Sequence, residues 1–321
     1  IFRSSNGEFI SGEEISEKLK ITRAAVWKHI EQLRKEGYEI TGEPHVGYRL
    51  TGTPDKLIPE EISYGLGTKI IGRKIFSYET TDSTMDVAHK LARSGSPDGT
   101  VVFSESQTKG RGRMGRHWVS PKGKGIYFSP ILRPDVSPAE APKITLMSAV
   151  AVALAIRKVT HLGALIKWPN DIMINDRKAC GILTEMSAEV NTVNYIVLGI
   201  GINVNTDKKD LPKEATSLKA EAGENFPRVE LTRELLREFE RQYMIFKEKG
   251  FKRIIEGWKG LSHTLGERVK IATTGTHPQK GMCPHKIEGT AVDLDTSGAL
   301  VVRLDNGFME HVTAGDVLMV R

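Results

Sequence analysis

Two cysteines in 321 residues, Cys180 and Cys283, are too few for a disulfide framework or a four-ligand zinc site. A reducing, cytoplasmic setting is the simplest reading. His277, Cys283 and His285 crowd one short stretch, but it reads as a solvated loop, and no protein metal site is expected. The most apolar run, 144–156, falls short of the roughly 20 residues that span a bilayer, so it reads as a buried core helix and no membrane partner is expected. Neither Met nor a signal-like apolar stretch opens the chain, and the first helix reads as clipped ahead of Phe2. A Gly-Lys-Ser/Thr loop opening a helix is missing, and no glycine fingerprint stands between a strand and a helix. These absences exclude the common P-loop and dinucleotide-binding readings.

What remains is an ordinary globular composition, 39% hydrophobic and 27% charged, with a net charge of +6. The length suits two or three domains, and the charge permits a nucleotide or nucleic-acid partner without requiring one. Three regions separate: 1–60, 61–260 and 261–321. In the first, Ser11-Gly12-Glu13-Glu14 has capping-box spacing, and Thr22 can cap a second helix over 23–36 that Gly37 closes. Val26, Ile30 and Leu33 share one face of that helix. A hairpin follows over 38–50, and two helices plus a hairpin describe a winged helix-turn-helix. The central region mixes strand-like runs (74–78, 100–105, 125–132, 165–167, 172–174, 178–186, 194–200) with helical ones (83–93, 142–160, 232–246), as in an α+β or α/β domain. The last region alternates strands with Asp/Asn/Gly turns and suits a small β-barrel.

The loop Gly110-Arg111-Gly112-Arg113-Met114-Gly115-Arg116 is the most informative stretch. Lys109, His117, Lys122 and Lys124 flank it, and no acid occurs from Gln107 to Lys124. Glycine admits close backbone approach, and arginine forks match phosphate or carboxylate. On its own the loop suits an anion or nucleotide, a solvated basic surface, or nonspecific nucleic-acid contact. Lys167-Trp168-Pro169-Asn170-Asp171 and Arg177-Lys178 through Gly181-Ile182 each read singly as polar turns.

Together these segments carry a resemblance. Asp82-Ser83-Thr84, Gln107, the 110–116 loop, Trp118, Lys167–Asp171, Arg177-Lys178, Gly181-Ile182 and Gly199-Ile200-Gly201-Ile202-Asn203 stand in the order seen in biotin protein ligases. The resemblance covers essentially the whole chain. With the leading winged helix it is similar to the bifunctional type, ligase and biotin operon repressor in one chain. It implies an α+β multidomain fold: the winged helix (1–60), a central class II synthetase-like mixed sheet (61–260) and an SH3-like barrel (261–321). It also implies ATP and biotin as substrates, Mg2+ arriving with ATP, and biotinyl-5′-AMP as intermediate and corepressor. The implied partners are a lysine of biotin carboxyl carrier protein, operator DNA, and a second copy of the chain when the adenylate is bound.

The resemblance implies site residues as well. Lys178, Asp171 and Arg113 are the catalytic candidates. Lys178 offsets the negative charge where carboxylate meets α-phosphate, and Asp171 orients or deprotonates the acceptor lysine. Ser83, Thr84, Met85, Gln107, Arg111, Gly112, Arg113, Lys178 and Gly181 are expected around biotin. Met85 stands where the family pattern often has Asn. Gly110, Arg111, Arg113, Arg116, Trp118, Lys167, Asn170 and Asn203 are expected around the adenylate, with Arg111 and Arg113 on the phosphate and Arg116 folding the loop over it. For DNA the candidates are Thr22, Arg23, Trp27, Lys28, Arg34 and wing residue Arg49. Residues 1–50 carry eight Lys/Arg and eight Asp/Glu, so only their distribution favours DNA over a packing role. A ligand-sensing regulator without catalysis and a lipoate-type acyl ligase are the alternative functions.

Overall fold

The computed structural model describes residues 1–5, 7–272 and 286–320. The stretch holding His277, Cys283 and His285 lies outside them. The chain forms two compact units, Ile1–Asp55 and Lys56–Arg321.

The first unit opens with a 3-10 turn, Phe2–Ser5, followed by helices α1 (Gly12–Leu19) and α2 (Arg23–Glu36). The Ser11 and Thr22 side chains accept hydrogen bonds from Glu14 N and Ala25 N at 3.0 and 3.2 Å, satisfying helix-start donors as their spacing predicts. Gly37 ends α2 at φ 100°, a conformation that favours glycine. The antiparallel hairpin β1 (Glu39–Glu43) and β2 (Gly47–Gly52) then folds back. Ile10, Ile15, Val26, Ile30 and Ile40 are buried together as its core. At Gly47 (φ 132°) a side chain would sit 2.2 Å from the Ile10 carbonyl oxygen, so only glycine lets the hairpin close on the chain before α1.

The second unit runs α3 (Pro59–Ser63), β3 (Ile75–Tyr78), α4 (Thr84–Arg93), β4 (Val101–Ser104), β5 (Gly125–Leu132), α5 (Ala141–Thr160), β6 (Leu165–Lys167), β7 (Asp171–Ile174), β8 (Arg177–Ala188) and β9 (Val193–Asn203). Then follow α6 (Leu218–Ala222), α7 (Arg228–Lys249), α8 (Phe251–Gly260), β10 (Arg268–Ala272), β11 (Lys286–Leu294), β12 (Leu300–Leu304), β13 (Met309–Val312) and β14 (Asp316–Met319). Seven strands make one sheet in the order β3-β4-β5-β9-β8-β7-β6. Only β3 and β4 pair in parallel.

Alternation along the strands sends side chains to two layers. Val101 and Phe103 join the large core with α5, α7 and α8, while Val102 joins Met85, Ala88 and Ala92 of α4 on the other face. Phe103 and Phe128 stack at 5.4 Å between ring centres in the large core. The apolar run 144–156 lies inside α5 and is buried, which makes α5 the central core helix. α8 was not anticipated, since the last helical run read from the sequence stops at 246; Gly250 at φ 73° separates α8 from α7. The barrel expected at the end is a five-stranded antiparallel sheet, β13-β12-β11-β10-β14, with β13 and β14 at its edges. It packs on the same unit: Trp168 donates its indole N–H to the Gly298 carbonyl at 3.2 Å.

Candidate active site

A cleft of about 1050 Å3 opens on the α4 side of the large sheet. Its floor is a register row. Lys167 pairs with Asp171, Asp171 with Gly181, and Gly181 with Gly201, across β6, β7, β8 and β9. Directly opposed residues share a face, so Lys167 and Asp171 point into the cleft and the two glycines lie flat beneath it. The two glycines leave room for Trp118: a side chain at Gly201 would come within 2.5 Å of its indole, and one at Gly181 within 3.0 Å. Farther along β9, Gly199 leaves the same room for the thioether of Met85, at 2.5 Å.

Lys178 reaches this face through an irregularity. Regular alternation would put Lys178 opposite to Gly181. The pairing with β7 shifts between Ile172 and Met173, so Ile172 faces Cys180, Met173 faces Lys178, and Ala179 is the extra residue. A bulge of this kind re-aims the neighbouring side chain. The Lys178 ammonium lies 2.7 Å from Asp171 Oδ1 and 5.5 Å from the centre of the Trp118 ring. Cys180, two residues on, is fully buried, and burial pushes its thiol up, so it is an inert neighbour.

The basic loop is a small hairpin. Gly112 N donates to Arg116 O at 2.7 Å and Trp118 N to Gly110 O at 2.9 Å. Met114 and Gly115 turn the tip at φ 56° and 72°. Gly110 is absent from the cleft lining: its Cα packs so closely on the Trp118 carbonyl that a side chain would sit 2.4 Å away, which makes it part of the hairpin frame. Arg113 donates to Asn170 Oδ1 at 2.8 Å and to the Gly315 carbonyl at 3.2 Å. Arg116 pairs with Asp316 at 2.5 Å. Arg111 points the other way, to Asp86 at 2.7 Å and Glu185 at 3.5 Å, and His89 shares Glu185 at 2.9 Å.

At the α4 end, the Gln107 amide oxygen accepts from Thr84 N (2.8 Å) and Thr84 Oγ1 (3.2 Å), while its amide nitrogen donates to Ser120 (3.1 Å). Ser83 caps α4. These groups present a compact polar corner above the buried Met85. Asn203 donates to the Thr216 carbonyl at 3.0 Å. Burial is the main cause that lowers the Lys167 ammonium below the usual lysine range; the Asp171 carboxylate opposes it and Lys178 adds to it.

All expected ligand-binding residues except Gly110 therefore line one cleft, with Asn203 and Lys167 included. The cleft also holds residues that no motif announced: Leu211, Pro212, Glu214 and Ala215 after β9, His263 before β10, and Asp316 on β14. Asp316 lies 200 residues from the Arg116 it holds, a relation that local spacing does not encode.

In the first unit, Trp27 is 54% exposed and Lys28 is exposed beside it. Arg23 pairs with Glu13 at 2.8 Å. Arg34 does not join them. Its Nε and Nη2 donate to the Ile40 carbonyl at 2.9 and 2.6 Å, and Nη1 pairs with Glu31. Thr22 is engaged as the helix cap, and the Arg49 guanidinium lies 4.6 Å over the Phe9 ring.

Known proteins resemble the chain along nearly its whole length. Residues 77–203 match the Biotin/lipoate A/B protein ligase family, 1–49 an HTH domain, and 285–320 the Biotin protein ligase C terminal domain. The Bifunctional ligase/repressor BirA of Bacillus subtilis (strain 168) is 40% identical over 319 residues, 98% of this chain and 95% of its own. The protein of the same name from Escherichia coli (strain K12) is 31% identical over 320 residues, 98% of this chain and 94% of its own. The solved biotin protein ligase from Aquifex aeolicus in complex with biotin and ATP superposes with a TM-score of 0.64 at 30% identity, covering 78% of this chain and 99% of that one. With this agreement along nearly its whole length, the chain belongs to the family of bifunctional biotin protein ligase/repressors.

Proposed function

We propose that this chain activates biotin with ATP as biotinyl-5′-AMP, passes the biotinyl group to a lysine of biotin carboxyl carrier protein, and represses biotin genes through its first unit. The observation that carries the reading is one cleft in which the Lys178–Asp171 pair stands between a polar corner and two cationic groups, Arg113 and Arg116.

In the first step a biotin carboxylate oxygen attacks the α-phosphorus of ATP and pyrophosphate leaves. Two anions must meet, and fixed positive charge in a dry site lowers that barrier most. Lys178 supplies it, aimed by the bulge at Ala179. Thr84, Gln107 and Ser83 hold the ureido end, while Trp118 and Met85 wall the apolar chain. Arg113 and Arg116 close over the phosphate, with Asn170 and Asp316 holding their guanidinium groups. Closure keeps water from the mixed anhydride. Magnesium enters with ATP, held by phosphate oxygens and water; among the described residues no group of three or more His, Cys, Asp or Glu forms a cage for it.

In the second step the acceptor lysine attacks the acyl carbon and AMP leaves. An ordinary lysine is protonated near neutral pH, and Asp171 is placed to orient the ammonium and accept its proton. Arg111, held by Asp86 and Glu185, anchors the loop at the biotin end.

For DNA, the exposed face of α2 with Arg23, Trp27 and Lys28 is the recognition surface, and Arg49 belongs to the wing. Biotinyl-5′-AMP acts as corepressor by favouring a homodimer on the operator. The working domains are 1–60, 61–260 and 261–321. DNA and the carrier protein share the cytoplasm, which is where this chain acts. Biotin-dependent exchange of labelled pyrophosphate into ATP tests the first step; no exchange above the background without biotin refutes it.

A further inference from the structure

We propose that Glu221 is a positioning residue that holds one wall of the cleft, residues 211–216, against Lys178. Its carboxylate is 4% exposed, yet it lies outside every motif of the site. It gathers three donors from two segments. Asn175 Nδ2 donates to Oε2 at 2.7 Å, Arg177 Nη2 to Oε1 at 2.6 Å, and the Thr216 hydroxyl also to Oε1. Asn175 lies in the turn between β7 and β8, and Arg177 opens β8; Thr216 follows the cleft-lining Leu211, Pro212, Glu214 and Ala215. Between the two segments the backbone is stitched directly to the central lysine. Lys178 N donates to Glu214 O at 3.0 Å, and Thr216 N donates to Lys178 O at 2.8 Å.

Strand order shows which part of the ligand this wall meets. Along β8 and β9 come Met85 over Gly199, opposite Leu183, then Trp118 over Gly181 and Gly201, then Lys178, then the turn that Glu221 holds. Four residues lie between Lys178 and Leu183, one of them the bulged Ala179, a span of at most roughly 17 Å at the usual rise. The polar corner for the acid lies at one end. The wall of Leu211, Pro212 and Ala215 lies at the Lys178 end, where Ala215 bridges to Lys178 side by side, with Met173 and Met319 also lining the cleft. Apolar side chains there suit the flat face of a purine. Glu221 thus sets the nucleotide end without touching the ligand. Naming that ligand rests on the ligase reading above; the clasp on Lys178 does not.

The test compares wild type with Glu221→Ala and with the milder Thr216→Val, which removes one donor within a buried site. Amide hydrogen exchange reads the clasp itself. Glu221→Ala should raise exchange at Lys178 and Thr216 about tenfold or more, as expected for losing bonds to a buried charged group, while β5 and β9 keep their protection. Pyrophosphate exchange and equilibrium binding then read the consequence. KM for ATP should rise about tenfold in Glu221→Ala and about threefold in Thr216→Val, with the Kd for biotin within about twofold of wild type. Unchanged protection at Lys178 and Thr216 overturns the clasp, whether or not the protein turns biotin over. Equal worsening for ATP and biotin also overturns it, because that pattern means general loosening. Absence of biotin-dependent exchange in wild type sinks the ligase reading alone, and amide protection still decides the clasp.

Discussion

Gly181 and Gly201 face each other across β8 and β9, and the indole of Trp118 lies on both. The Lys178 ammonium stands 5.5 Å from the centre of that ring, so the aromatic wall and the central cation depend on two missing side chains. Gly201→Val should push the half-buried Trp118 off the floor and weaken biotin binding by about tenfold or more, as expected when a clash displaces a packed aromatic. Titration of intrinsic fluorescence with biotin checks this. Wild-type affinity in the variant would mean that Trp118 does not wall the biotin site.

Lys178→Ala should lower the rate of biotin-dependent pyrophosphate exchange by about 100-fold or more, the range for removing one preorganised charge from a transition state. Equilibrium biotin binding should change far less. A variant that exchanges at the wild-type rate would remove Lys178 from the mechanism.

Much of this was legible in the sequence. Capping residues and periodicity placed α2, β5 and β6 within a residue or two, because those signals are local. The Gly/Arg loop announced itself by residue type, whereas the 167–171 segment reads singly as a polar turn and became legible only through its order among the other motifs. The bulge at Ala179 was not legible, since a one-residue shift in pairing leaves no mark on a single strand. Asp316 and Glu221 were invisible for a related reason. Each acts on residues distant in the chain, and a lone acid near a turn ordinarily reads as a solvated one. Arg34 is the converse case. It looks like part of a basic DNA face, but its guanidinium is engaged by the Ile40 carbonyl.

Arg116 and Asp316 tie the tip of the basic loop to β14 at 2.5 Å, and Arg113 lies 3.7 Å from the same carboxylate. Asp316→Asn should therefore speed escape of biotinyl-5′-AMP by several-fold, since exposed pairs are individually modest. Arg113→Ala, which also loses the Asn170 contact, should speed it more. Rapid-dilution release of labelled adenylate measures both. Unchanged retention in both would mean that the loop is not the clamp.

Lys167 carries a pH prediction. Its folded pKa lies below the free value, so the folded protein binds fewer protons than the unfolded chain between the two. Stability contributed at this position rises as pH climbs through that window. A bound triphosphate favours the charged form and pulls the pKa back up, so alkaline binding should take up protons. Calorimetry of ATP analogue binding near pH 9 in buffers of different ionisation enthalpy should detect that uptake, and Lys167→Met should abolish it. Equal uptake in the variant would assign it elsewhere.

In the first unit, Lys28→Ala should weaken operator binding and reduce its salt dependence by the equivalent of about one phosphate contact. Arg34→Ala should instead lower the melting temperature of the unit, because it strips the Ile40 carbonyl of its partners. Salt-titrated binding and thermal melts of the two variants separate the roles. The reverse pattern would exchange their assignments.

The most direct measurement is intact-mass analysis of a biotin carboxyl carrier protein after incubation with this chain, ATP, magnesium and biotin. The cleft built on Lys178, Asp171 and the 110–116 loop predicts a gain of one biotinyl group on one lysine, dependent on both ATP and biotin. An unmodified carrier would contradict it, as would a carrier that is modified only in a parallel incubation with lipoate in place of biotin.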